Sequence, residues 1–219
     1  MKISIPTQQY EVSPDDIKAV ESFVSAIMPG FIKEFGGILK DSVQGWRARN
    51  FIKIILKTKE LVQKSDLSQK ELSGKFFVQA FEKSSMEDDN GLQDRWAALL
   101  ANTSVGKFEA DVKYVSILSE LSGDEVKLLD AMYSELLIRE QGKEYVFSSE
   151  KACQSVYGHS HHLSKVRIMV SNFYRLGICE APAMEGISVG PGNDHPILKT
   201  TNLFTFTELG KDFLRAVRN

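Results

Sequence analysis

Residues 85–106 read SMEDDNGLQDRWAALLANTSVG, and this stretch predicts a helix that runs from Glu87 to Thr103. Its apolar side chains recur at helical spacing and form one stripe, which comprises Leu92, Trp96, Leu99 and Leu100. Asp94 and Arg95 face away from that stripe. Three consecutive acids at the start of the helix are explained by the positive end of the helix dipole. The pattern is typical of a helix with one buried face.

Helical patterns also precede this stretch. Ser13 is placed to cap a first helix, Pro14 occupies the first helical position, and the Pro-Gly pair at 29–30 ends the helix. A second helical region runs from near Phe31 to Val62, and a third from Ser68 to Ser84. Together with a further helix downstream, these segments predict a helical bundle over residues 1–122.

That further helix runs from Ala110 to Leu121. The next one, Asp124 to Leu137, follows Ser122 and Gly123, and Ser122 offers an N-cap. Beyond Ile138, strand-like runs appear for the first time and alternate with short helical patterns. We therefore expect a second domain over residues 123–219.

The predicted elements of the second domain are a helix, a strand, two helices, a hairpin and a closing helix. Their predicted bounds are 124–137, 144–147, 149–157, 160–176, 178–181, 202–206 and 208–217. This order resembles a winged helix, with Ser160 to Leu176 in the place of the recognition helix. The predicted fold class is mainly α, with an N-terminal helical bundle followed by a winged-helix-like α+β domain.

The outward face of the helix at Ser160 to Leu176 decides whether this domain would bind DNA. A DNA-binding module needs several lysines or arginines against phosphates, and this face and its wing loop carry few. The wing loop also holds Glu185 and Asp194 beside His195. The sparse charge favours contacts with protein, and DNA binding is the alternative. The candidate DNA-binding residues are His161, Ser164, Lys165, Asn172, Arg175 and Lys199.

Composition sets further bounds on function. The chain has 219 residues, 42% hydrophobic and 26% charged, as expected of an ordinary globular protein. Its formal net charge of −2 gives no overall attraction to nucleic acid or anionic lipid, so such binding would need a local patch.

The sequence also predicts where the protein resides. Cys153 and Cys179 are its only cysteines and are expected to be reduced thiols. Met1 to Tyr10 lacks the regions of a signal peptide, and no segment approaches the roughly 20 apolar residues of a membrane span. We expect a cytoplasmic protein that is not inserted in a membrane.

A basic stripe on the second helical region is the strongest local charge feature. It comprises Arg49, Lys53, Lys57 and Lys64. One hypothesis is that this stripe binds nucleic acid or an anionic membrane surface. The favoured interpretation is a solvated stripe, or one that pairs with the acids at 87–89 inside the same domain.

Metal binding and catalysis have little support in the sequence. His159, His161 and His162 cluster near Cys153, but their spacing fits no paired zinc-ligand pattern. No nucleophile elbow, phosphate-binding glycine loop or metalloprotease helix is present. We expect no metal, no cofactor and no enzymatic activity, and the sequence identifies no small-molecule substrate.

Three quoted stretches resemble one bacterial family. They are GWRARNFIKIILK at 45–57, residues 85–106, and ADVKYVSILSELSGDEVKLLDAM at 110–132. They are similar to the abortive infection alpha proteins, which carry an Arg-x-x-Asn helix, an acidic run before Trp-Ala-x-Leu-Leu-Ala-Asn, and a Leu-Ser-x-x-Glu helix start. The matching positions are Trp46, Arg49, Asn50, Asp88, Asp89, Leu92, Trp96, Leu99, Leu100, Ala101, Asn102, Leu121, Ser122 and Glu125.

The resemblance implies a role in bacterial defence against phage and transfers no catalytic residue. Its polar and aromatic positions suggest one interaction network that is buried or faces a partner: Trp46, Arg49, Asn50, Asp88, Asp89, Trp96 and Asn102.

Three hypotheses for function follow. The first is a non-enzymatic defence protein that acts through protein contacts and associates with itself. The second is a winged-helix regulator that binds DNA. The third and weakest is a membrane-perturbing effector that uses Phe31 to Val62.

Overall fold

The computed structural model describes residues 12–31, 42–139, 146–182 and 203–218. This part of the chain contains nine α-helices and a three-stranded antiparallel sheet near the C-terminus, which confirms the predicted mainly helical class. It divides into two compact units. The first unit comprises Met1–Glu120 with Ala216–Asn219, and the second comprises Leu121–Arg215.

The first unit contains five α-helices. Their bounds are α1 Pro14–Ile27, α2 Ser42–Gln63, α3 Gly74–Ser84, α4 Asn90–Ser104 and α5 Val112–Ser119. The predicted start of α1 is confirmed, because Ser13 and Asp16 form a reciprocal capping box and Pro14 is the first helical residue. After α1, Gly30 adopts a φ of +94°, which favours glycine.

The helix predicted from Ser68 begins at Gly74, because Ser73 caps it and the chain before it is bound elsewhere. The Leu72 amide donates to the Ile27 carbonyl at 2.8 Å, and the Lys70 amide donates to the Ser104 carbonyl at 2.7 Å. The start predicted near Phe31 falls on a turn at that residue, and residues 32–41 lie outside the described part of the chain.

The central helix of the first unit is α4. Its predicted stripe is buried, but alanines on its other sides are buried as well: Ala97, Ala98 and Ala101. The sequence predicted one buried face for α4, and the structure buries more than that face. Small side chains let α2 approach closely, and the Thr58 hydroxyl of α2 lies 3.4 Å from the Ala97 carbonyl.

Four phenylalanines join the turn after α1 to α2 and α3. The ring of Phe31 lies 4.9 Å from that of Phe77 and 5.1 Å from that of Phe81, both edge to face. Phe51 meets Phe81 at 4.7 Å in the same geometry. Such pairs add about 0.5–1.5 kcal/mol each beyond the burial of apolar area.

The second unit alternates helices and short strands. Their bounds are α6 Gly123–Arg139, β1 Phe147–Ser148, α7 Ser149–Tyr157, α8 Leu163–Arg175, β2 Cys179–Glu180, β3 Leu203–Phe206 and α9 Glu208–Ala216. Ala216, the last residue of α9, belongs to the first unit. The predicted bounds of α7 are confirmed, and Ser148 is its N-cap. A 3₁₀ turn at Ser160–His162 precedes α8, so that α-helix begins three residues later than predicted.

The sheet has the order β1-β3-β2, with Phe147 opposite Phe204 and Cys179 opposite Phe206. Gly177 ends the helical segment before β2 with a φ of +70°, which favours glycine. The predicted strand start at Glu144 and the wing loop after Pro182 fall on 140–145 and 183–202, outside the described residues.

No helix in the described part of the chain combines the length and the apolarity needed to cross a membrane.

Candidate functional site

The outward face of α8 holds the residues predicted to contact a partner. The buried side of the helix carries Val166, Met169, Val170 and Phe173. His161, Ser164, Lys165, Ile168 and Arg175 are exposed, and Asn172 is half-buried. Lys199 lies outside the described residues. The candidate DNA-binding residues that the structure describes therefore lie on α8 or in the turn just before it.

Lys165 is engaged by its own unit. Its ammonium lies 2.5 Å from a carboxylate oxygen of Asp124 and 5.9 Å from the ring centre of Tyr157. The hydrogen bond from Lys165 holds the pKa of the Asp124 carboxyl below its usual range, and the pKa of Lys165 is raised by the same bond. A phosphate would have to compete with this carboxylate for the Lys165 ammonium.

Asn172 and Arg175 belong to a chain of hydrogen bonds that begins at the start of α6. The Glu125 carboxylate accepts from the Ser122 amide at 2.7 Å and hydroxyl at 2.8 Å. Its other oxygen accepts from Asn172 Nδ2 at 2.8 Å. Arg175 Nε and Nη2 donate to Asn172 Oδ1 at 3.1 and 2.7 Å. Both ends of the Asn172 amide are therefore in use within the unit.

Arg167 is a functional candidate that sequence reasoning missed. Its Nη2 lies 3.2 Å from Glu150 of α7, so it also pairs with a carboxylate of the same unit. The sequence shows an acidic residue, Glu150, in the first turn of α7. Only the fold shows that this turn lies beside Arg167 of α8. All three cationic side chains of α8 thus have polar partners in the structure.

Ile168 gives the outward face of α8 an apolar centre. Its side chain is 72% exposed, the highest value among the large apolar residues that the structure describes. Ser164 and Ser171 lie one turn away on either side and are exposed. Small hydroxyls around an exposed apolar side chain allow another surface to approach closely.

Polar residues at the start of α2 hold the turn that follows α3. Asn50, which is buried, donates to the Ser85 carbonyl at 3.2 Å. Arg47 donates to the Ser85 hydroxyl at 3.0 Å and to the Glu82 carbonyl at 3.3 Å. Arg49 is exposed on the other side of the helix. Arg47 was not among the predicted network residues, because its contacts depend on the distant turn.

The acidic run forms the N-terminus of α4. Asp89 is the N-cap and accepts from the Leu92 amide at 2.9 Å, while Asp88 is exposed. Glu87 accepts from the Asp89 amide at 2.9 Å. Burial raises the pKa of the Glu87 carboxyl, an effect that the Asp89 amide opposes and the neighbouring carboxylates reinforce.

Asn102, at the other end of α4, holds the C-terminal residues of the chain. Its Nδ2 donates to the carbonyls of Ala216 at 3.0 Å and Arg218 at 2.9 Å. Arg95 donates to the carbonyl between them, that of Val217, at 3.3 Å. Arg95 is half-buried, so the expectation that it simply faces away was wrong.

The predicted interaction network is thus divided between the two ends of α4. Asn102 lies twelve residues after Asn90, which corresponds to about 18 Å along a helix. Trp96 lies between these groups and is only 1% exposed, and Trp46 is half-buried at the start of α2. Asn50, Asp89 and Asn102 therefore make separate contacts with the backbone.

The basic stripe of α2 has a carboxylate partner outside the predicted acidic run. Lys57 lies 2.6 Å from Asp94, whose side chain is on the outer side of α4. Arg49 and Lys64 are exposed. Lys57 thus pairs inside the first unit, but with Asp94 rather than with the predicted acids at 87–89.

The histidine and cysteine candidates do not form a metal site. The ring centres of His161 and His162 lie 5.1 and 5.3 Å from that of His159, and the Cys153 thiol donates to the His159 carbonyl. Among the described residues, no three potential ligands are grouped to hold a metal ion. Cys179 is buried, which raises the pKa of its thiol far above its usual range.

Comparison with known proteins identifies the family. No curated protein and no solved structure matches the chain. The family model described as abortive infection alpha matches residues 47–217, which is well over half of the chain and extends far beyond the stretches quoted at the outset. The protein therefore belongs to the abortive infection alpha family.

Proposed function

We propose that the protein is a non-enzymatic component of abortive infection, a form of phage defence, and acts by binding another protein through the outward face of α8. Membership of the abortive infection alpha family supports the biological role. The face itself supports the mode of action, because its chemistry suits a protein surface better than a polyanion.

We propose further that the second unit is a winged helix. The order α6, β1, α7, α8, β2, β3 and the sheet order β1-β3-β2 are those expected of that fold. In it, α8 takes the place of the recognition helix. Winged helices also dock on proteins, so this fold does not by itself select a ligand.

The observation that carries the protein-binding proposal is the pairing of charges around Ile168. Lys165 and Arg167 contact carboxylates, while Ile168 is 72% exposed. DNA affinity comes mainly from cations that neutralise phosphates, and here two of the cations already face carboxylates, which would repel a phosphate. Burial of an exposed isoleucine in an interface contributes about 1.5–3 kcal/mol.

Phage challenge tests this proposal. Bacteria that express Ile168→Asp should lose protection, measured as a rise in plating efficiency towards that of bacteria without the protein, because burying an unpaired charge at the centre of an interface should weaken binding by about tenfold or more, or about 1.4 kcal/mol. Leu67→Asp is the matched control, since Leu67 is 47% exposed in the first unit. Full protection by Ile168→Asp, or equal loss in both variants, would argue against the proposal.

DNA binding is the second candidate, favoured by the position of α8 in the element order and by the exposure of His161, Ser164 and Arg175. Fluorescence anisotropy with mixed duplex DNA over a salt series distinguishes it from protein binding. We expect no binding at low salt. Salt-dependent binding that a Lys165→Ala, Arg175→Ala double variant loses would make DNA the ligand of this face.

A further inference from the structure

Hydrogen bonds link each cation of α8 to a carboxylate of a neighbouring helix in the second unit. The linked groups are Lys165 with Asp124, Arg167 with Glu150, and Arg175 with Glu125 through Asn172. These three cations and three carboxylates give a strongly charged partner no net attraction. The face is therefore suited to a surface that also carries both signs.

The charged groups on the α6 side of the face lie on both sides of Ile168. Lys165 precedes Ile168 by three residues, about 4.5 Å along the helix, and Asn172 follows it by four residues, about 6 Å. Both side chains donate to carboxylates at the start of α6, so they lie on the same flank of α8. The Arg175 guanidinium lies on this flank too, because its Nη2 is 2.7 Å from Asn172 Oδ1.

A two-fold axis at Ile168 makes this arrangement complementary to itself. When two copies of α8 pack antiparallel about such an axis, each flank meets the same flank of the other copy with its ends exchanged. Ile168 then meets Ile168 of the second copy. The Asp124 carboxylate beside Lys165 lies opposite the Arg175 guanidinium of the second copy, and this contact occurs twice. Asp124 is 42% exposed, so its carboxylate can accept a further hydrogen bond.

We propose that the protein bound by the α8 face is a second copy of this chain, packed antiparallel about Ile168. The inference rests on the proposed function, because it names the partner of that same face. A helix of 13 residues is about 20 Å long and about 10 Å wide and presents roughly 200 Å². Stable interfaces bury about 800 Å² on each partner, so the flanks of α8 must take part and the dimer is weak.

The flank of α8 towards β3 supplies further apolar surface. Tyr174 and Leu203 are both exposed there, and the Tyr174 hydroxyl donates to the Leu203 carbonyl at 3.2 Å. This bond holds the aromatic ring beside the strand, where a second copy can cover both side chains. Aromatic residues of this kind are enriched in protein interfaces.

Sedimentation velocity of the full chain over a micromolar concentration series tests the proposal. The parent protein should shift from monomer to dimer as its concentration rises. Arg175→Glu and Asp124→Arg should each weaken self-association about tenfold or more, or about 1.4 kcal/mol, because like charges then meet at both symmetric contacts. Lys64→Glu is the control, since it makes the same charge change as Arg175→Glu at an exposed position of the first unit. Its self-association should equal that of the parent protein.

An equimolar mixture of Arg175→Glu and Asp124→Arg gives the sharpest result. In a mixed dimer, one contact keeps the parent pair of charges and the other brings the introduced carboxylate against the introduced guanidinium. The mixture should therefore dimerise almost as tightly as the parent protein. The proposal is overturned by a parent protein that stays monomeric, by charge variants that associate as the parent does, or by a mixture that stays as dissociated as each variant alone.

Crosslinking provides a second test if circular dichroism shows that either charge variant is unfolded. Ile168→Cys should give a covalent dimer with a short bismaleimide, because the two copies of this residue meet at the axis. Leu67→Cys should give none, although Leu67 is also exposed. Cys153 and Cys179 are buried and do not compete for the reagent. No dimer from Ile168→Cys, or equal amounts from both variants, would overturn the proposal.

The phage challenge separates this inference from the proposed function. If the parent protein is monomeric and Ile168→Asp still abolishes protection, the α8 face binds a different protein and only the inference of a dimer fails. If the parent protein dimerises through α8 and Ile168→Asp protects fully, the dimer is supported and the proposed function fails.

Discussion

At the scale of single residues, the family-matching polar side chains act mainly on the backbone. Asn50 binds the Ser85 carbonyl, Asp89 caps α4, and Asn102 binds two carbonyls near the C-terminus. Buried carbonyls need donors, so these side chains stabilise turns and ends that the apolar core cannot specify. The sequence indicated that these positions are important, but their partners lie far along the chain and could not be inferred from spacing.

Asn102→Ala should destabilise the protein by about 1–3 kcal/mol, because it removes the donor for the buried Ala216 carbonyl and for the Arg218 carbonyl. Urea unfolding measures the loss. Gln69→Ala, at an exposed loop position, should leave the unfolding midpoint unchanged. An Asn102→Ala midpoint equal to that of the parent protein would contradict the assigned role.

The Asp124–Lys165 pair gives stability a defined pH dependence. The pKa of Asp124 is lower in the folded state than in the unfolded state. The pair therefore adds to the free energy of unfolding above the unfolded-state pKa, and this addition is lost as the pH falls through the folded-state pKa. Asp124→Asn should lower the melting temperature slightly near pH 7, and the difference should vanish well below pH 4, where both states are protonated. Lys165→Met should give the same pattern. A difference from the parent protein that persists at low pH would contradict this origin.

At the scale of elements, local signals predicted helix caps better than contacts between distant segments. Ser13 and Ser122 cap the helices that they were expected to cap, because a cap depends on residues within one turn. The helix predicted from Ser68 starts late because Lys70 and Leu72 bond to distant carbonyls. Backbone bonds of this kind leave no periodic signature in the sequence.

Gly210 in α9 tests how closely β2 and α9 pack. A Cβ at this position would collide with the backbone carbonyl of Ile178, which cannot move independently of the strand. Gly210→Ala should therefore destabilise the protein by about 1–3 kcal/mol. Gly45→Ala in α2 is the matched control, because its added methyl would meet only Arg49 Nη1 at 3.9 Å. Because Gly45→Ala replaces a glycine in the interior of a helix, its free energy of unfolding should equal or exceed that of the parent protein.

At the scale of the whole molecule, the sequence predicted the helical class, the small sheet and the family. The character of the α8 face was predicted less well. Sparse charge suggested weak DNA binding, but the pairing of Arg167 with Glu150 and of Lys165 with Asp124 requires knowledge of how the helices pack. The exposure of Ile168 likewise depends on which side of α8 is buried.

The most direct test of the central claim replaces Ile168 with a photocrosslinking amino acid in infected bacteria, with Leu67 replaced in the same way as the control. Both side chains are exposed, at 72% and 47%, so both positions are accessible to a crosslinker. Binding through the α8 face predicts a discrete protein adduct from position 168 that is absent from position 67. Adducts with DNA from position 168, or no adduct from a variant that still protects against phage, would contradict it.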